Sequence, residues 1–391
     1  MTRGETGPAP ATVSGGGDDL DRRKKVLFAI HYLGGGGAER VILRILERLR
    51  RDKFVPVLLV LEDKGEYRSE VPRDVRVLDC GRYGAGGRWL WLRNFARGVR
   101  KERPDVIVSF LWFTNVVAIL CRFLSGVPCR LVLSERSTIL GSREGILTEF
   151  IRRFSIRFLY PVADRVIPNS QGLREQLTGP YRLPAGKVTV IQNPLDIEEI
   201  LVKAEEGGQV DARPDDLPVV LGIGRLSREK GFDLLIGAAA KATRPFRLVL
   251  LGEGPSGKSL RDLAGKLGVA DRVEFAGFQA NPYAWLRRTA VFVLPSRYEG
   301  FPNSLLEAMA LGVPCIATRC PTGPEEIVTD GEDGLLVPVE DCGALAAAID
   351  RLLGDPALRE RLGDAARETV RAYDAPKIVR RFEALVEEVA G

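Results

Sequence analysis

Residues 296–314 read SRYEGFPNSLLEAMALGVP, and this stretch carries two glutamates, Glu299 and Glu307, eight positions apart. Glu299 follows a short apolar run and lies in a loop with Gly300 and Pro302, where backbone N–H groups can approach a ligand closely. The helix expected after this loop would offer unpaired N–H groups and its positive dipole end to an anion. One carboxylate near a sugar, N–H groups for a phosphate and a second carboxylate near a ribose would suit a sugar nucleotide.

Three further motifs lie in order around this stretch. Residues 34–40 read GGGGAER, a glycine loop after the first apolar run. Residues 222–231 read GIGRLSREKG, so that an arginine and a lysine flank a strand-to-helix turn. A planar guanidinium and a compact ammonium at one turn suit a diphosphate, although two solvated surface charges are the plainer alternative. Residues 323–328 read GPEEIV, and residues 334–338 read GLLVP.

With these motifs in this order, residues 24–375 resemble the retaining glycosyltransferases of family 4, whose signature includes two glutamates separated by seven residues. The resemblance implies an α/β protein with the GT-B fold, in which two Rossmann-like parallel-sheet domains face a cleft. It implies that Arg225 and Lys230 bind the donor diphosphate and act in catalysis with Glu299, and that Glu307 takes the ribose hydroxyls. The other residues expected near the nucleotide sugar are Gly35, Gly36, Gly277, Phe278, Phe301, Pro302, Asn303, Ser304 and Leu305.

The implied reaction moves a hexose or N-acetylhexosamine from a nucleotide diphosphate, UDP above all, to a glycan or polyprenyl-linked saccharide. Such reactions serve cell-surface polysaccharide, lipopolysaccharide or other glycoconjugate synthesis. Retention without an obvious nucleophile implies a front-face mechanism, in which the leaving phosphate helps to deprotonate the acceptor hydroxyl. We expect no cofactor and no divalent metal, because Arg225 and Lys230 would supply the positive charge.

The first domain departs from the family pattern. The family often has a histidine after a later strand of this domain, where the present chain has Phe110 or Leu111. We therefore consider three other residues as contacts for acceptor or donor. These are His31, the single histidine, together with Asn115 and Glu135. His31 could equally be a satisfied polar residue at a strand end, and Glu135 could be structural.

Two other functions remain open at this point. Residues 252–259 read GEGPSGKS and match the P-loop pattern, so a P-loop ATPase using Lys258 is one alternative. No later apolar run ends in the aspartate that would hold Mg²⁺ in such an enzyme. The other alternative is a GT-B protein that binds or epimerises a sugar nucleotide without transferring the sugar.

Length and composition predict two globular domains. The chain has 391 residues, which is too long for a single hydrophobic core. Of these residues, 45% are hydrophobic and 28% are charged, a composition typical of globular and not of disordered proteins. Six cysteines without C-x-x-C spacing and a single histidine offer no structural zinc site and suggest reduced thiols in a cytoplasmic protein. We expect a disordered tail (1–23), an acceptor domain (24–196), a linker (197–216), a donor domain (217–374) and a helix crossing back (375–391).

Alternating β-branched runs and helical patterns predict parallel sheets. We expect seven strands in the first half and six in the second. They are 25–30, 55–61, 75–79, 106–110, 130–134, 165–168 and 188–192, then 219–224, 247–251, 273–276, 291–294, 315–318 and 335–338.

Basic and apolar residues interleave in two segments of the first half. Between Arg82 and Arg103 lie seven basic residues and one acid, with tryptophans among them. Residues 150–158 read FIRRFSIRF. Each could be an amphipathic helix on an anionic membrane surface, which would make the protein peripheral on the inner face of a membrane, or an ordinary helix packed on a sheet. The modest net charge of +5 and the lack of a recognised motif argue against nucleic-acid binding.

Overall fold

Apolar runs form the strands of two parallel sheets. The computed structural model describes residues 23–82, 90–136, 146–206 and 217–391, and within them it contains twelve strands. Parallel strands are covered by helices on both faces, so successive positions can all be apolar. The first strand, Lys24–Ile30, shows this, since its last five side chains are inaccessible to solvent. The α/β class and the two Rossmann-like sheets predicted from the sequence are confirmed.

The first sheet lies in the N-terminal half. Its strands are β1 (Lys24–Ile30), β2 (Phe54–Val60), β3 (Arg76–Asp79), β4 (Val106–Phe110), β5 (Arg130–Glu135) and β6 (Arg165–Pro168). Their order across the sheet is β3-β2-β1-β4-β5-β6. The order reverses between β1 and β4, and ligands of open α/β sheets bind beyond the strand ends at such a switch point.

The second sheet repeats this topology. Its strands are β7 (Val219–Ile223), β8 (Arg247–Leu251), β9 (Val273–Gly277), β10 (Val291–Leu294), β11 (Cys315–Thr318) and β12 (Leu335–Val337). Their order is β12-β11-β10-β7-β8-β9, which is the order of the first sheet read from the other edge. The second switch point therefore lies between β7 and β10.

Helices connect the strands in both halves. Those of the first half are α1 (Gly37–Arg48), α2 (Leu90–Glu102), α3 (Trp112–Ser125), α4 (Ile146–Phe158) and α5 (Gln171–Thr178). Those of the second half are α6 (Ile197–Glu206), α7 (Phe232–Lys241), α8 (Gly257–Lys266), α9 (Tyr283–Arg287), α10 (Asn303–Ala310), α11 (Pro324–Ile327), α12 (Cys342–Gly354) and α13 (Pro356–Val370). The last helix is α14 (Ala375–Ala390).

Helices cover both faces of the first sheet. On one face, α1 and α14 share a core with β1, where the rings of Phe28 and Phe382 lie 6.0 Å apart. The last helix thus follows the second sheet in the chain but packs on the first. On the opposite face, α2, α3 and α4 pack over Leu27, with Phe95 of α2 and Ile156 of α4 in the same core. Leu27 and Phe28 mark the two faces because neighbouring strand residues point in opposite directions.

The linker predicted at 197–216 begins as a helix that belongs to the second domain. Ile200 and Ala204 of α6 join the core that contains Tyr283 and Leu305. The helix was not predicted because these are its only buried side chains, which leaves a weak apolar period. Residues 207–216 of the predicted linker and residues 1–22 of the predicted tail lie outside the described residues.

The seventh strand predicted for the first sheet is not formed. Within residues 188–192, only Val188 makes a bridge, to Val166 of β6. The N–H groups of Thr189 and Ile191 still donate to β6 carbonyls at 3.0 and 3.1 Å. Because β6 has four residues and ends in a proline without an N–H, it offers too few groups for a regular ladder.

No helix among the described residues has the length and apolarity needed to span a bilayer.

Candidate active site

Two loops of the second domain meet at its switch point. One follows β7 and carries Lys230, and the other follows β10 and carries Glu299. Lys230 Nζ lies 2.7 Å from Glu299 Oε1, and the Ser296 hydroxyl donates to the same oxygen at 2.6 Å. The Glu299 side chain is 7% exposed. The structure therefore brings together two of the residues predicted to act in catalysis, from positions 69 residues apart.

A left-handed glycine allows the two loops to approach. Gly231 has φ of +66°, and a Cβ there would lie 2.0 Å from the carbonyl oxygen of Pro295, at the end of β10. No side chain fits at this distance, so position 231, directly after Lys230, requires glycine for steric reasons. Arg297 anchors the second loop, since its guanidinium binds Asp233 at 2.8 Å and also Glu340. These bonds raise the pKa of Arg297 and keep it charged.

Arg225 lies at the start of the β7 loop with its side chain exposed. Its carbonyl accepts from the Ser227 N–H at 2.8 Å, but its side chain makes no hydrogen bond or ion pair with the described residues. A guanidinium group that is permanently charged and has no protein partner is available to bind an anion such as a diphosphate. Lys230 differs, because Glu299 already balances its charge.

The N-terminus of α10 supplies backbone donors beside these loops. The helix begins at Asn303 after Pro302, and no side chain caps it. The first N–H groups of a helix have no partner within it, so those of Asn303, Ser304 and Leu305 can bind an anion. The side chains play another part, since Leu305 is fully buried and the Phe301 ring packs 5.4 Å from Tyr373. Phe301 and Leu305 can therefore reach a ligand only through their backbones.

Glu307, on α10, is held by two arginines of the first domain. Its Oε1 lies 2.8 Å from Arg40 Nη1 and 3.5 Å from Arg44 Nη2, and both arginines belong to α1. Arg40 Nη1 also lies 3.2 Å from the hydroxyl of Tyr283. Burial alone would lower the pKa of Arg40, but Glu307 and the neighbouring tyrosines raise it well above its ordinary value. Oε2 of Glu307 accepts no hydrogen bond from the described residues, so it is free to accept from ribose hydroxyls.

The glycine loop of the first domain lies against the second domain. A Cβ on Gly35 would be 3.0 Å from the Phe278 ring, and the Gly37 carbonyl accepts a bond from Asn303 Nδ2 at 3.2 Å. Gly36 sits beside the carboxylate of Glu39 at the start of α1. Gly277 ends β9 and Phe278 follows it, so Gly35 and Phe278 meet at the cleft between the two domains.

Asn193 bridges the two domains at the floor of this cleft. Its Nδ2 donates to Asn303 Oδ1 at 2.6 Å and to the Phe301 carbonyl at 3.1 Å. Its Oδ1 accepts from Arg136 Nη1 at 2.7 Å. Arg136 is buried, and burial lowers its pKa to about 9 although Glu135 acts in the opposite direction. No motif in the neighbouring sequence indicates this bridging role, because the partners of Asn193 lie far away along the chain.

His31 follows β1 and is partnered within the first domain. Its Nε2 lies 2.6 Å from Arg82 Nη1, and since an arginine N–H can only donate, Nε2 is the acceptor. Burial, and next the charge of Arg82, lower the pKa of His31, so the ring is neutral at pH 7. The Tyr32 and Phe113 rings lie 5.2 and 5.9 Å away. This geometry favours a satisfied polar residue at the strand end, and a ligand contact stays a prediction.

Asn115 and Glu135 lie in a buried hydrogen-bond network beneath the carboxyl ends of β4 and β5, and their contact with a ligand stays a prediction. Asn115 accepts from Ser109 Oγ at 2.6 Å and donates to the Tyr160 hydroxyl at 3.0 Å and to the Ser134 carbonyl. The Tyr160 hydroxyl in turn donates to Glu135 at 2.8 Å. Both side chains are fully buried. Buried polar groups must be hydrogen-bonded, and this network satisfies that demand.

The P-loop pattern at 252–259 forms a different structure from a phosphate cradle. The Ser256 N–H donates to the Leu226 carbonyl at 2.8 Å, and the Leu226 N–H donates to the Glu253 carbonyl at 2.9 Å. Backbone groups of this loop are therefore hydrogen-bonded to the turn that carries Arg225 and are not directed at a phosphate site. Lys258 points to solvent. No group of His, Cys, Asp and Glu within the described ranges could hold a metal ion.

Comparisons with known proteins agree along the chain. The family described as "Glycosyltransferase Family 4" matches residues 35–199, and the family described as "Glycosyl transferases group 1" matches residues 204–369. The two matches fall on the first and second domains of the structure. The first-domain match begins within the glycine loop, and the second includes Arg225, Lys230, Glu299 and Glu307.

Two curated relatives span most of the chain. An N-acetylgalactosamine-N,N'-diacetylbacillosaminyl-diphospho-undecaprenol 4-alpha-N-acetylgalactosaminyltransferase of Campylobacter jejuni is 30% identical over 91% of this chain and 98% of its own. The lipopolysaccharide core biosynthesis glycosyltransferase LpsE of Rhizobium meliloti is 29% identical over 87% and 92%. Among solved structures, HepE of Anabaena in complex with UDP and glucose superposes with a TM-score of 0.79. It is 22% identical and covers 94% of this chain and 100% of that chain, which shows the same fold.

Proposed function

This chain belongs to the glycosyltransferases of family 4, with the GT-B fold, and we propose that it moves a hexose or N-acetylhexosamine from a UDP-linked donor, with retention, to a polyprenyl-linked saccharide. One observation carries the proposal. Lys230 and Glu299 pair at 2.7 Å at the second switch point, between the exposed Arg225 and the N-terminus of α10. A diphosphate and the sugar attached to it need this neighbourhood of cations, N–H groups and a carboxylate.

In the proposed complex, the chain holds the donor from both ends. Arg225, Lys230 and the first N–H groups of α10 bind the diphosphate and stabilise its charge as the glycosidic bond breaks. The free Oε2 of Glu307 takes the ribose hydroxyls, and Phe278 lies beside the base. Since Arg40 and Arg44 hold Oε1, the first domain orients the carboxylate that binds the ribose.

The proposed reaction proceeds on one face of the sugar. The acceptor hydroxyl oxygen bonds to the anomeric carbon from the side of the departing diphosphate. The carbon–oxygen bond to the phosphate breaks, and the hydroxyl proton passes to a phosphate oxygen. Lys230 and Ser296 hold Oε1 of Glu299 and so fix the orientation of this carboxylate. A reaction on one face needs no covalent bond between Glu299 and the sugar. The role of Glu299 is to position sugar hydroxyls, and catalysis rests on orientation and electrostatics.

The acceptor class is proposed from the relatives. The Campylobacter transferase is named for a diphospho-undecaprenol acceptor, and the Rhizobium relative for lipopolysaccharide core synthesis. An acceptor on a polyprenyl carrier would keep the enzyme at the cytoplasmic face of a membrane. Nothing in the described geometry favours an ATPase or a binding protein without transfer.

The test is calorimetric titration of UDP, GDP and ATP in EDTA, with wild type and Arg225→Ala/Lys230→Ala. We expect UDP to bind wild type without metal and binding to be lost in the double variant. Proton NMR of the product formed from UDP-sugars then reports the anomeric configuration. Absence of UDP and GDP binding, with ATP bound only after Mg²⁺ is restored, would contradict the proposal. An inverted product would overturn retention alone.

A further inference from the structure

One outer face of the first domain exposes an apolar surface. Eight of the fifteen exposed large hydrophobic residues within the described ranges lie on α3 and α4. The most prominent are Phe123 and Leu124 on α3 and Phe150, Phe154 and Phe158 on α4; Phe150 is 65% exposed and Phe123 is 63% exposed. The Phe154 and Phe158 rings stack on each other at 4.8 Å. We call this surface the α3–α4 face.

The α3–α4 face belongs to a layer of basic helices. Helices α2, α3 and α4 cover the same face of the first sheet, and together they carry eight basic and two acidic residues. The two acids balance only part of this charge: Glu102 is buried beside Lys25 and Arg76, and Glu149 pairs with Arg153. The layer thus carries a net charge of +6, while the whole chain carries +5.

The basic side chains border the apolar residues. The Arg100 guanidinium donates to the Leu124 and Ser125 carbonyls at 3.2 and 3.1 Å, which places a positive charge beside exposed Leu124. Arg153 and Arg157 lie between the exposed phenylalanines of α4. Apolar residues flanked by arginines are the composition of a helix that lies in the headgroup region of an anionic bilayer.

The two basic segments predicted from the sequence differ in whether their apolar side chains are buried. Phe95 and Val99 of α2 are fully buried, and Trp91 and Leu92 pack against the same core. Helix α2 therefore contributes charge to the layer and keeps its apolar face on the sheet. Helix α4 buries Arg152, Ser155 and Ile156 and turns its phenylalanines outward. Residues 83–89 of the predicted basic segment, including Trp89, lie outside the described residues.

The α3–α4 face lies close to the cleft. Trp112, which begins α3 directly after β4, donates from Nε1 to Ser155 Oγ of α4 at 2.7 Å. The carboxyl end of β4 is at the switch point of the first domain, so the part of α4 around Ser155 reaches the edge where the acceptor is expected. Phe150, Ile151 and Phe154 lie within about one and a half turns of Ser155.

We propose that the α3–α4 face docks the protein on the surface of an anionic phospholipid bilayer, with phenylalanines among the acyl chains and arginines at the phosphates. A second copy of this chain fits less well, because a two-fold interface would bring this basic layer against itself. The inference deepens the proposed function, since docking here would present the cleft to an acceptor on a lipid carrier.

The test is sedimentation with vesicles of phosphatidylcholine alone and of phosphatidylcholine with phosphatidylglycerol, without donor or acceptor. We compare wild type with Phe150→Ser/Phe154→Ser on the α3–α4 face. The matched control is Leu201→Ser/Val202→Ser, which removes two exposed apolar residues from α6 in the second domain. We expect wild type and control to bind the anionic vesicles, and the phenylalanine variant to bind at least about tenfold more weakly. Arg97→Glu/Arg153→Glu should abolish the preference for anionic vesicles.

Two further measurements separate the outcomes. UDP titration should be unchanged in Phe150→Ser/Phe154→Ser, which shows that the variant folds and keeps failure of docking distinct from failure of the donor site. Equal vesicle binding by wild type and the phenylalanine variant would overturn the proposal. So would sedimentation velocity that shows a wild-type dimer, a monomeric phenylalanine variant and no vesicle binding, because a second copy would then be the occupant.

Discussion

The two domains share one strand order, yet the loops at their switch points carry different chemistry. After β7 and β10, the second domain places Arg225, Lys230 and Glu299, followed by the free N-terminus of α10. After β1, the first domain places four glycines, and the charged residues that follow on α1 reach across to Glu307. The same strand order thus supports a cluster of charged side chains in the second domain and a glycine loop with little side-chain bulk in the first.

This difference indicates a division of labour. In the proposed complex, the second domain supplies the groups that bind the phosphates, and the first domain orients the carboxylate of Glu307, which would bind the ribose. The donor site should therefore depend on both domains, but not to the same degree. Three variants test this comparison, in decreasing order of expected effect on the transfer rate.

The largest effect is expected from Lys230→Ala. Removal of one preorganised charge from the leaving group should lower kcat by about a hundredfold to a thousandfold. The matched control is Lys258→Ala, which removes the exposed lysine of the P-loop pattern and should leave the rate unchanged. Initial rates with a UDP-sugar, with thermal melts to show that both variants fold, provide the measurement. A larger loss in Lys258→Ala than in Lys230→Ala would reverse the assignment of the two lysines.

A smaller effect is expected from Arg40→Ala, on the side of the first domain. Glu307 would lose its 2.8 Å partner and keep Arg44 at 3.5 Å, so we expect kcat/KM to fall about tenfold as the ribose site loses its orientation. A double-mutant cycle with Glu307→Gln, measured by urea unfolding, should give a coupling of about 1 to 3 kcal/mol.

The control for Arg40 is Arg50→Ala, which breaks an arginine–glutamate pair between Arg50 and Glu383 of α14. It should lower stability without a comparable change in kcat/KM. If the changes in unfolding free energy caused by Arg40→Ala and Glu307→Gln are additive, the two side chains do not interact energetically. The first domain would then have no part in the proposed donor site.

The smallest effect on the rate is expected from Glu39→Gln, next to the glycine loop. Burial, and to a smaller extent Glu66, raise the pKa of Glu39 from 4.5 to about 7. The folded state therefore holds a proton that the unfolded state releases, and this stabilisation is lost as pH rises from about 4.5 through about 7. Urea midpoints of wild type should fall relative to Glu39→Gln over that range. Parallel pH curves for the two proteins would contradict the assignment.

The sequence was sufficient to predict the fold class and to select the residues of the proposed donor site. Strand positions follow from apolar runs between turn residues, and all six strands of the second sheet lie where those runs predict. Arg225, Lys230, Glu299 and Glu307 could be selected because each belongs to a short motif whose spacing is local. The helix that begins at Asn303 was likewise predicted from its loop.

Contacts between segments that are distant in the sequence could not be predicted from local motifs. Arg40 lies within a quoted motif, but its contact with Glu307 joins positions 267 residues apart. The bridging contacts of Asn193, and the burial of Asn115 and Glu135, likewise depend on segments far apart in the sequence. Burial decided each case, because it depends on which elements pack together and not on the residues next in sequence.

By itself, the sequence determined the two parallel sheets, the family motifs and the existence of two basic amphipathic segments. Only the tertiary structure decided which of these segments turns its apolar residues outward. Periodicity shows that a helix has an apolar side, but it does not show whether another element covers that side. In α2 the sheet covers the apolar side. In α4 the phenylalanines remain exposed, because Ile156 is the side chain that packs in the core beneath the sheet and Ser155 bonds to Trp112 of α3.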